Sequence, residues 1–127
     1  MIDLLKNIGH KFIPAPTMTL DKINEEFGFK VPTELQNLLL SADGFFLTST
    51  IKIFGWNDLI DRNNTLEVQN YAPNYIAFAD DSGPRCFLFN LSSFEIYSVD
   101  QGSMDPDYMI LEACTLEKWL IRKLAAE

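Results

Sequence analysis

The chain offers few of the residues from which metal sites and reaction centres are built. Its 127 residues include one histidine, His10, and two cysteines, Cys86 and Cys114. The cysteines form no CxxC pair, and one His with two distant Cys cannot complete an ordinary zinc shell. No GxSxG elbow accompanies His10, so a serine-type triad has no support. We therefore expect no metal, no cofactor, a surface position for His10, and buried, reduced thiols at both cysteines.

Loops that bind phosphate or calcium are missing as well. The six glycines are isolated from one another, so no glycine-rich loop can cradle a phosphate. The acidic runs at residues 80–81 and 100–107 do not match the EF-hand calcium loop. The paired carboxylates Glu25-Glu26 and Asp80-Asp81 lie in polar segments rather than in the buried setting that acid–base catalysis usually uses. The sequence thus predicts that the protein is not an enzyme. An enzyme would need an unrecognised site, such as carboxylates in a cleft.

Positive charge is scarce. Ten Lys and Arg stand against eighteen Asp and Glu, which gives a formal net charge of -8. Nucleic acid and anionic membrane surfaces are therefore poor partners, because phosphate contacts need clustered Lys and Arg. A basic protein would be steered toward such a chain, although the same charge also serves solubility.

Long apolar runs are absent too. No stretch approaches the roughly 18 apolar residues of a membrane span. Near the N-terminus Asp3, Lys6, His10 and Lys11 interrupt any secretory pattern. We expect a cytoplasmic protein that is a monomer or a weak dimer.

The hydrophobic pattern has a helical period at both ends of the chain. A first helix, with its Pro-rich connection, is expected over residues 1–16, and a second over 19–28, closed by Gly28. Pro32 opens a third helix, with Leu35, Leu38 and Leu39 as its apolar stripe and a stop at Asp43-Gly44. Thr115 caps a last helix, in which Trp119 lies on the apolar stripe as a packing residue.

The middle of the chain has a strand period. Strands are expected within residues 49–55, 75–79, 86–91 and 94–99, whereas residues 57–68 can be read as a short helix or a loop. Short connections between neighbouring strands require antiparallel pairing. The sequence predicts one domain, residues 1–127, with an α+β fold: an antiparallel meander sheet flanked by helices from the N- and C-terminal ends.

Exposed acids on the turns of this meander, with nearby tyrosines as aromatic anchors, are the candidate partner-binding residues. For any single one of these residues, the alternative of a solvated loop charge is at least as good an interpretation. The candidates are Asp80, Asp81, Glu95, Tyr97, Asp100, Asp105, Asp107 and Tyr108.

Four segments, in this order, resemble the SUKH superfamily, a group rich in bacterial immunity proteins. The first is INEEFGFKVPTEL at 23–35, followed by Asp43-Gly44, and the second is YIAFADDSG at 75–83, running into CFLF at 86–89. The third is EIYSVD at 95–100 and the fourth is TLEKWL at 115–120. Together they span about residues 20 to 124, and they consist mostly of core and turn positions.

The resemblance implies a single SUKH-like domain that works by binding and carries no catalytic residue. Many members are cytoplasmic immunity proteins that neutralise polymorphic toxins, often nucleases, and others are regulators or scaffolds. The leading hypothesis is therefore an immunity protein for a basic nuclease toxin, whose positively charged groove an acidic surface can cover. The alternative is a protein-interaction or regulatory module of the same fold.

Overall fold

The computed structural model describes residues 18–126, with side chains from Leu20 onward. The expected helix and Pro-rich connection at residues 1–16, including His10, lie outside the described residues. The helices are α1 (Met18–Phe27), α2 (Thr33–Ser41), α3 (Trp56–Thr65), α4 (Val68–Tyr71) and α5 (Leu116–Ala126), with a 3-10 turn at Pro106–Tyr108. The strands are β1 (Phe45–Phe46), β2 (Lys52–Ile53), β3 (Tyr75–Asp80), β4 (Arg85–Asn90), β5 (Ile96–Asp100) and β6 (Ile110–Ala113).

The strands form one sheet in the order β1-β2-β3-β4-β5-β6, and each is antiparallel to the next. This order confirms the α+β fold and the meander that the sequence predicts. Strands β1 and β6, at the two edges, were not anticipated. The ambiguous segment 57–68 is mostly helix α3, and α2 begins at Thr33, so that Pro32 is its N-cap rather than its first residue.

Helix α5 covers one face of the sheet through Trp119. The indole ring lies 5.1 Å from the Phe78 ring and 4.9 Å from the Phe87 ring, and Trp119 is fully buried. Its packing role is thereby confirmed. Because side chains alternate along a strand, Phe87 and Phe89 point toward α5, whereas Leu88 points to the opposite face. The helix starts where it was expected, since the Thr115 hydroxyl accepts the Lys118 N–H at 3.2 Å.

Two side-chain amides complete the sheet where β2 stops. Strand β2 pairs with β3 only at Lys52 and Ile53, which leaves the outer edge of β3 without a strand neighbour further along. There the Ala77 N–H donates to Asn63 Oδ1 at 2.9 Å, and Asn63 Nδ2 donates to the Ala77 carbonyl at 2.8 Å. Gln69 of α4 donates to the Tyr75 carbonyl. Helices α3 and α4 are thus fixed to the sheet by hydrogen bonds that replace a missing strand.

The Asp43-Gly44 turn does more than end α2. The Asp43 carboxylate accepts the Trp56 N–H at 2.8 Å, so it caps the start of α3 from a distance in sequence. Gly44 has a φ of +78°, and a Cβ at this position would lie 3.0 Å from the Gly55 nitrogen. The turn therefore requires glycine on steric as well as conformational grounds.

Candidate partner-binding surface

Most of the candidate residues meet at one end of the sheet. The Cα pairs Asp80↔Cys86 and Arg85↔Asp100 place the last residues of β3 and β5 on either side of the first residues of β4. The loops that follow β3 and β5 leave from this same end. We call it the acidic end and define it by Asp80, Asp81, Asp100, Asp105, Asp107 and Tyr108.

Four of the five carboxylates at the acidic end hold the backbone of their own turns. In each case Oδ1 accepts a backbone N–H from the residue two positions later, at 2.8 to 2.9 Å. The four are Asp80, Asp81, Asp100 and Asp105. This geometry is the Asx-turn, in which a short acidic side chain replaces a backbone acceptor. The carboxylates therefore shape the loops and keep their negative charge at the surface.

Gln101 ties the two acidic loops together. Its backbone N–H donates to the Pro84 carbonyl at 2.7 Å, and its side-chain Nε2 donates to the Gly83 carbonyl at 3.1 Å. The same amide accepts from Arg62 Nη2 of α3 at 2.7 Å. The loops after β3 and β5 consequently form one connected surface, anchored to a helix.

A third loop joins this surface. The Ser82 hydroxyl donates to the Thr50 carbonyl in the β1–β2 connection at 2.6 Å. Such cross-links reduce the conformational entropy that a loop loses when a partner binds. The acidic end is therefore organised before any partner arrives.

The two cationic residues that are strand partners of acidic-end aspartates, Arg85 and Lys52, form no ion pair with them. Arg85 is the Cα partner of Asp100, yet its Nε donates to the Ser98 hydroxyl at 3.1 Å. Lys52, opposite Asp80, pairs instead with Asp58 of α3 at 3.3 Å. Within residues 18–126 no aspartate of the acidic end forms an ion pair, so its charge remains available to a basic surface.

Glu95 and Tyr97 lie elsewhere. Tyr97 is the Cα partner of Leu88, so it occupies the face opposite to α5, and Glu95 lies beyond the other end of β5. The Tyr97 hydroxyl donates to Glu95 Oε1 at 3.3 Å. The Tyr97 and Tyr75 rings meet edge to face with centroids 5.6 Å apart. Leu111 is the Cα partner of Tyr97 on β6 and is 51% exposed.

These four residues, Glu95, Tyr97, Tyr75 and Leu111, define what we call the tyrosine face. Partial burial, and then the Glu95 charge, raise the pKa of Tyr97 above its ordinary value. Both causes favour the neutral phenol, which acts as a hydrogen-bond donor toward the carboxylate. The structure thus divides the predicted site residues into two groups that the sequence did not separate.

The two cysteines differ, which corrects the expectation that both are buried. Cys86 is buried beside Asp80, whereas Cys114, just before α5, is exposed. Burial, and secondarily the Asp80 charge, raise the pKa of Cys86 to about 12. Since the thiolate is the nucleophile, Cys86 is inert at neutral pH.

Metal-ion clusters and membrane-spanning helices are not found in the part of the chain that the structure describes. Among these residues no group of three or more His, Cys, Asp or Glu side chains is arranged to hold a metal ion. In the same part of the chain no helix combines the length and the apolarity needed to cross a bilayer.

Comparison with known proteins agrees with the residue pattern. The model of the SMI1 / KNR4 family (SUKH-1) matches residues 14–122, which is most of the chain. This match confirms the resemblance carried by the four segments. A search of the curated proteins finds no match to the chain.

Proposed function

We propose that this chain, which belongs to the SMI1 / KNR4 family (SUKH-1), is a cytoplasmic immunity protein that binds and neutralises a toxin domain. The family is consistent with an immunity role and with interaction with a toxin protein. The finer claims, a basic nuclease as the toxin and the acidic end as the main contact, are ours. The observation that carries them is an organised cluster of aspartates without an ion pair among the described residues, on a chain of net charge -8.

Charge complementarity supports a basic target. A nuclease needs a positively charged groove to hold its substrate, and a rigid acidic surface can occupy such a groove and exclude nucleic acid. Long-range attraction also speeds association, which matters for a protein that must reach a toxin before the toxin reaches its substrate. We expect the protein to act in this way as a monomer or a weak dimer.

The decisive experiment is co-expression with the toxin domain encoded beside the gene, scored by survival. A catalytically inactive form of the same toxin domain is the control for general toxicity, and an unrelated toxin is the control for specificity. We expect protection against the adjacent toxin only. If the protein is folded and abundant but gives no protection, the immunity role is excluded and a regulatory module of the same fold takes its place.

The nature of the contact is tested by salt. For a purified complex with the toxin domain, we expect the association rate constant to fall steeply as ionic strength rises, because exposed charges are screened within about 10 Å at 0.1 M salt. An association rate that does not depend on salt would remove the charge argument even if protection is observed.

A further inference from the structure

The tyrosine face is a half-buried aromatic surface on the sheet, in which both tyrosines are partly exposed. Its central residue, Tyr97, has strand neighbours on both sides, with Leu88 on β4 and Leu111 on β6 as Cα partners. Leu88 is fully buried, and the exposed Leu111 extends the apolar surface to the edge of the sheet. The ring of Tyr97 is held by the edge-to-face contact with Tyr75. A side chain in this position gives contact area at little conformational cost.

A carboxylate without a cation borders this surface. Glu95 accepts one hydrogen bond, from the Tyr97 hydroxyl, and forms no ion pair with any residue from 18 to 126. Its second oxygen, Oε2, makes no hydrogen bond within the described chain. An aromatic ring beside an unpaired carboxylate is complementary to a flat cation, which can stack on the ring while it donates to the oxygen.

We propose that the tyrosine face receives an arginine side chain of the same partner that the acidic end attracts, with its guanidinium stacked on Tyr97 and hydrogen-bonded to Glu95. This inference rests on the proposed function and adds a second contact to it. Arginine fits better than lysine because its planar, weakly hydrated guanidinium can stack and donate at the same time, whereas an ammonium is compact and strongly hydrated.

One partner can reach both surfaces. Glu95 and Asp100 stand five positions apart along an extended strand, which corresponds to roughly 17 Å at the usual rise per residue. A standard interface buries about 800 Å² on each partner and is therefore wide enough to include both. The acidic end then supplies attraction at long range, and the arginine on the tyrosine face holds the complex together once it has formed.

The test uses affinity and dissociation rates of the complex between the full chain and the toxin domain. We expect Glu95→Gln and Tyr97→Ala each to weaken binding about 10-fold, mostly through faster dissociation. Tyr97→Phe keeps the ring and should remain within about 3-fold of the unmodified protein. Because one guanidinium contacts both side chains, the double variant Glu95→Gln, Tyr97→Ala should lose less than the product of the two single losses.

Two controls and one reciprocal variant make the test specific. Phe46→Ala removes an exposed aromatic at the opposite edge of the sheet, and Glu26→Gln removes an exposed charge on α1, so neither should change the dissociation rate. On the toxin domain, one Arg→Lys substitution should reproduce the loss and have little further effect in the double variant. Native protection of the buried Cys86 thiol reports that each variant is folded.

The outcomes are distinct from those for the proposed function. If the unmodified protein protects and acidic-end variants lose affinity, but Glu95→Gln and Tyr97→Ala bind within about 2-fold of it, the arginine contact is wrong and the function stands. Strictly multiplicative losses in the double variant would also overturn the shared guanidinium. If the unmodified protein gives no protection, the proposed function itself fails.

Discussion

The acidic end and the tyrosine face keep their side chains in place by opposite means. At the acidic end the carboxylates bind the backbone, so charge and loop shape depend on the same atoms. On the tyrosine face the ring of Tyr75 on β3 and the ring of Tyr97 on β5 support each other across β4, and among the described residues the Glu95 carboxylate accepts a hydrogen bond from the Tyr97 phenol and from no backbone N–H. The first surface is therefore suited to attraction at a distance, which acts on the association rate, and the second to direct contact, which acts on the dissociation rate.

The largest expected effect comes from charge reversal at the acidic end. Changing Asp80, Asp81, Asp105 and Asp107 together to Lys should lower the association rate constant for the toxin domain about 100-fold at low salt, because attraction becomes repulsion. Stopped-flow mixing at several salt concentrations measures it. The matching set of four Asp→Asn changes keeps the turn acceptors and should lower the rate about 10-fold.

The control for that experiment places the same change of charge elsewhere. Four exposed acids outside both surfaces, Asp21, Glu25, Glu26 and Glu117, can be reversed to Lys together. If this set slows association as much as reversal at the acidic end does, then net charge alone steers the encounter and the acidic end has no special part.

The sequence predicted most of the fold because core and turn residues carry local signals. The three long strands were placed to within about two residues by their apolar runs and turn residues. Strand β6 was missed because Ile110 and Leu111 are exposed at the edge and a register shift at Glu112 breaks the alternation. Helix α3 was ambiguous because Asn63, which is buried, has its partner far away on β3.

The candidate site was predicted less completely, because closeness in sequence does not show at which end of a strand a residue lies. Residues 95–107 look like one cluster in sequence, yet an antiparallel strand carries Glu95 and Asp100 to opposite ends of the sheet. Asp81, Asp105 and Asp107 lie in the connections between strands, as predicted, whereas Asp80 and Asp100 are the last residues of β3 and β5. The Asx-turn bonds of these aspartates are local, whereas the link through Gln101 and the contact of Tyr75 with Tyr97 depend on tertiary structure and leave no mark in the local sequence.

A smaller effect concerns stability. Asp81→Ala removes the acceptor for the Gly83 and Arg85 N–H groups, so the free energy of unfolding should fall by about 1–2 kcal/mol. Asp81→Asn keeps the acceptor and should cost less than about 0.5 kcal/mol. On the other surface, Tyr97→Phe loses a single 3.3 Å bond and should be close to neutral. Urea unfolding measures all three. Equal losses for Asp81→Ala and Tyr97→Phe would contradict the contrast between the surfaces.

A still smaller effect is expected when the link between the two acidic loops is removed, and it concerns binding affinity. Gln101→Ala breaks the side-chain bonds to Gly83 and Arg62, so the loops must be ordered when the partner binds, and affinity should fall about 3-fold. Calorimetric titration with the toxin domain measures the change. Gln36 of α2 is the matched control, because its amide donates to the Val31 carbonyl just before that helix, far from both loops in sequence. Equal effects of Gln36→Ala and Gln101→Ala would argue against organised loops.

The smallest effect is spectroscopic. Glu95→Gln should lower the pKa of Tyr97 toward its ordinary value of 10.0, because the negative charge that opposes tyrosinate formation is removed. Partial burial, the larger cause, remains, so the pKa should stay above that value. Titration of the Tyr97 ring resonances by NMR measures the shift. The control Glu67→Gln changes the residue just before α4 and should leave the Tyr97 pKa unchanged. An unaltered Tyr97 pKa in Glu95→Gln would mean that the two groups do not interact in solution.

The aspartates of the acidic end differ in how freely they can be substituted, and this difference bears on which partner the surface could bind. Asp80, Asp81, Asp100 and Asp105 are constrained, since each side chain accepts a backbone N–H of its own turn and only a residue with a similar acceptor can replace it. The side chains of Asp107 and Tyr108, by contrast, are exposed and form no hydrogen bond within the described chain, so other residues can stand there without disturbing the sheet. Under the proposed function, substitutions at the 3-10 turn can therefore change the partner that is bound and leave the sheet as it is.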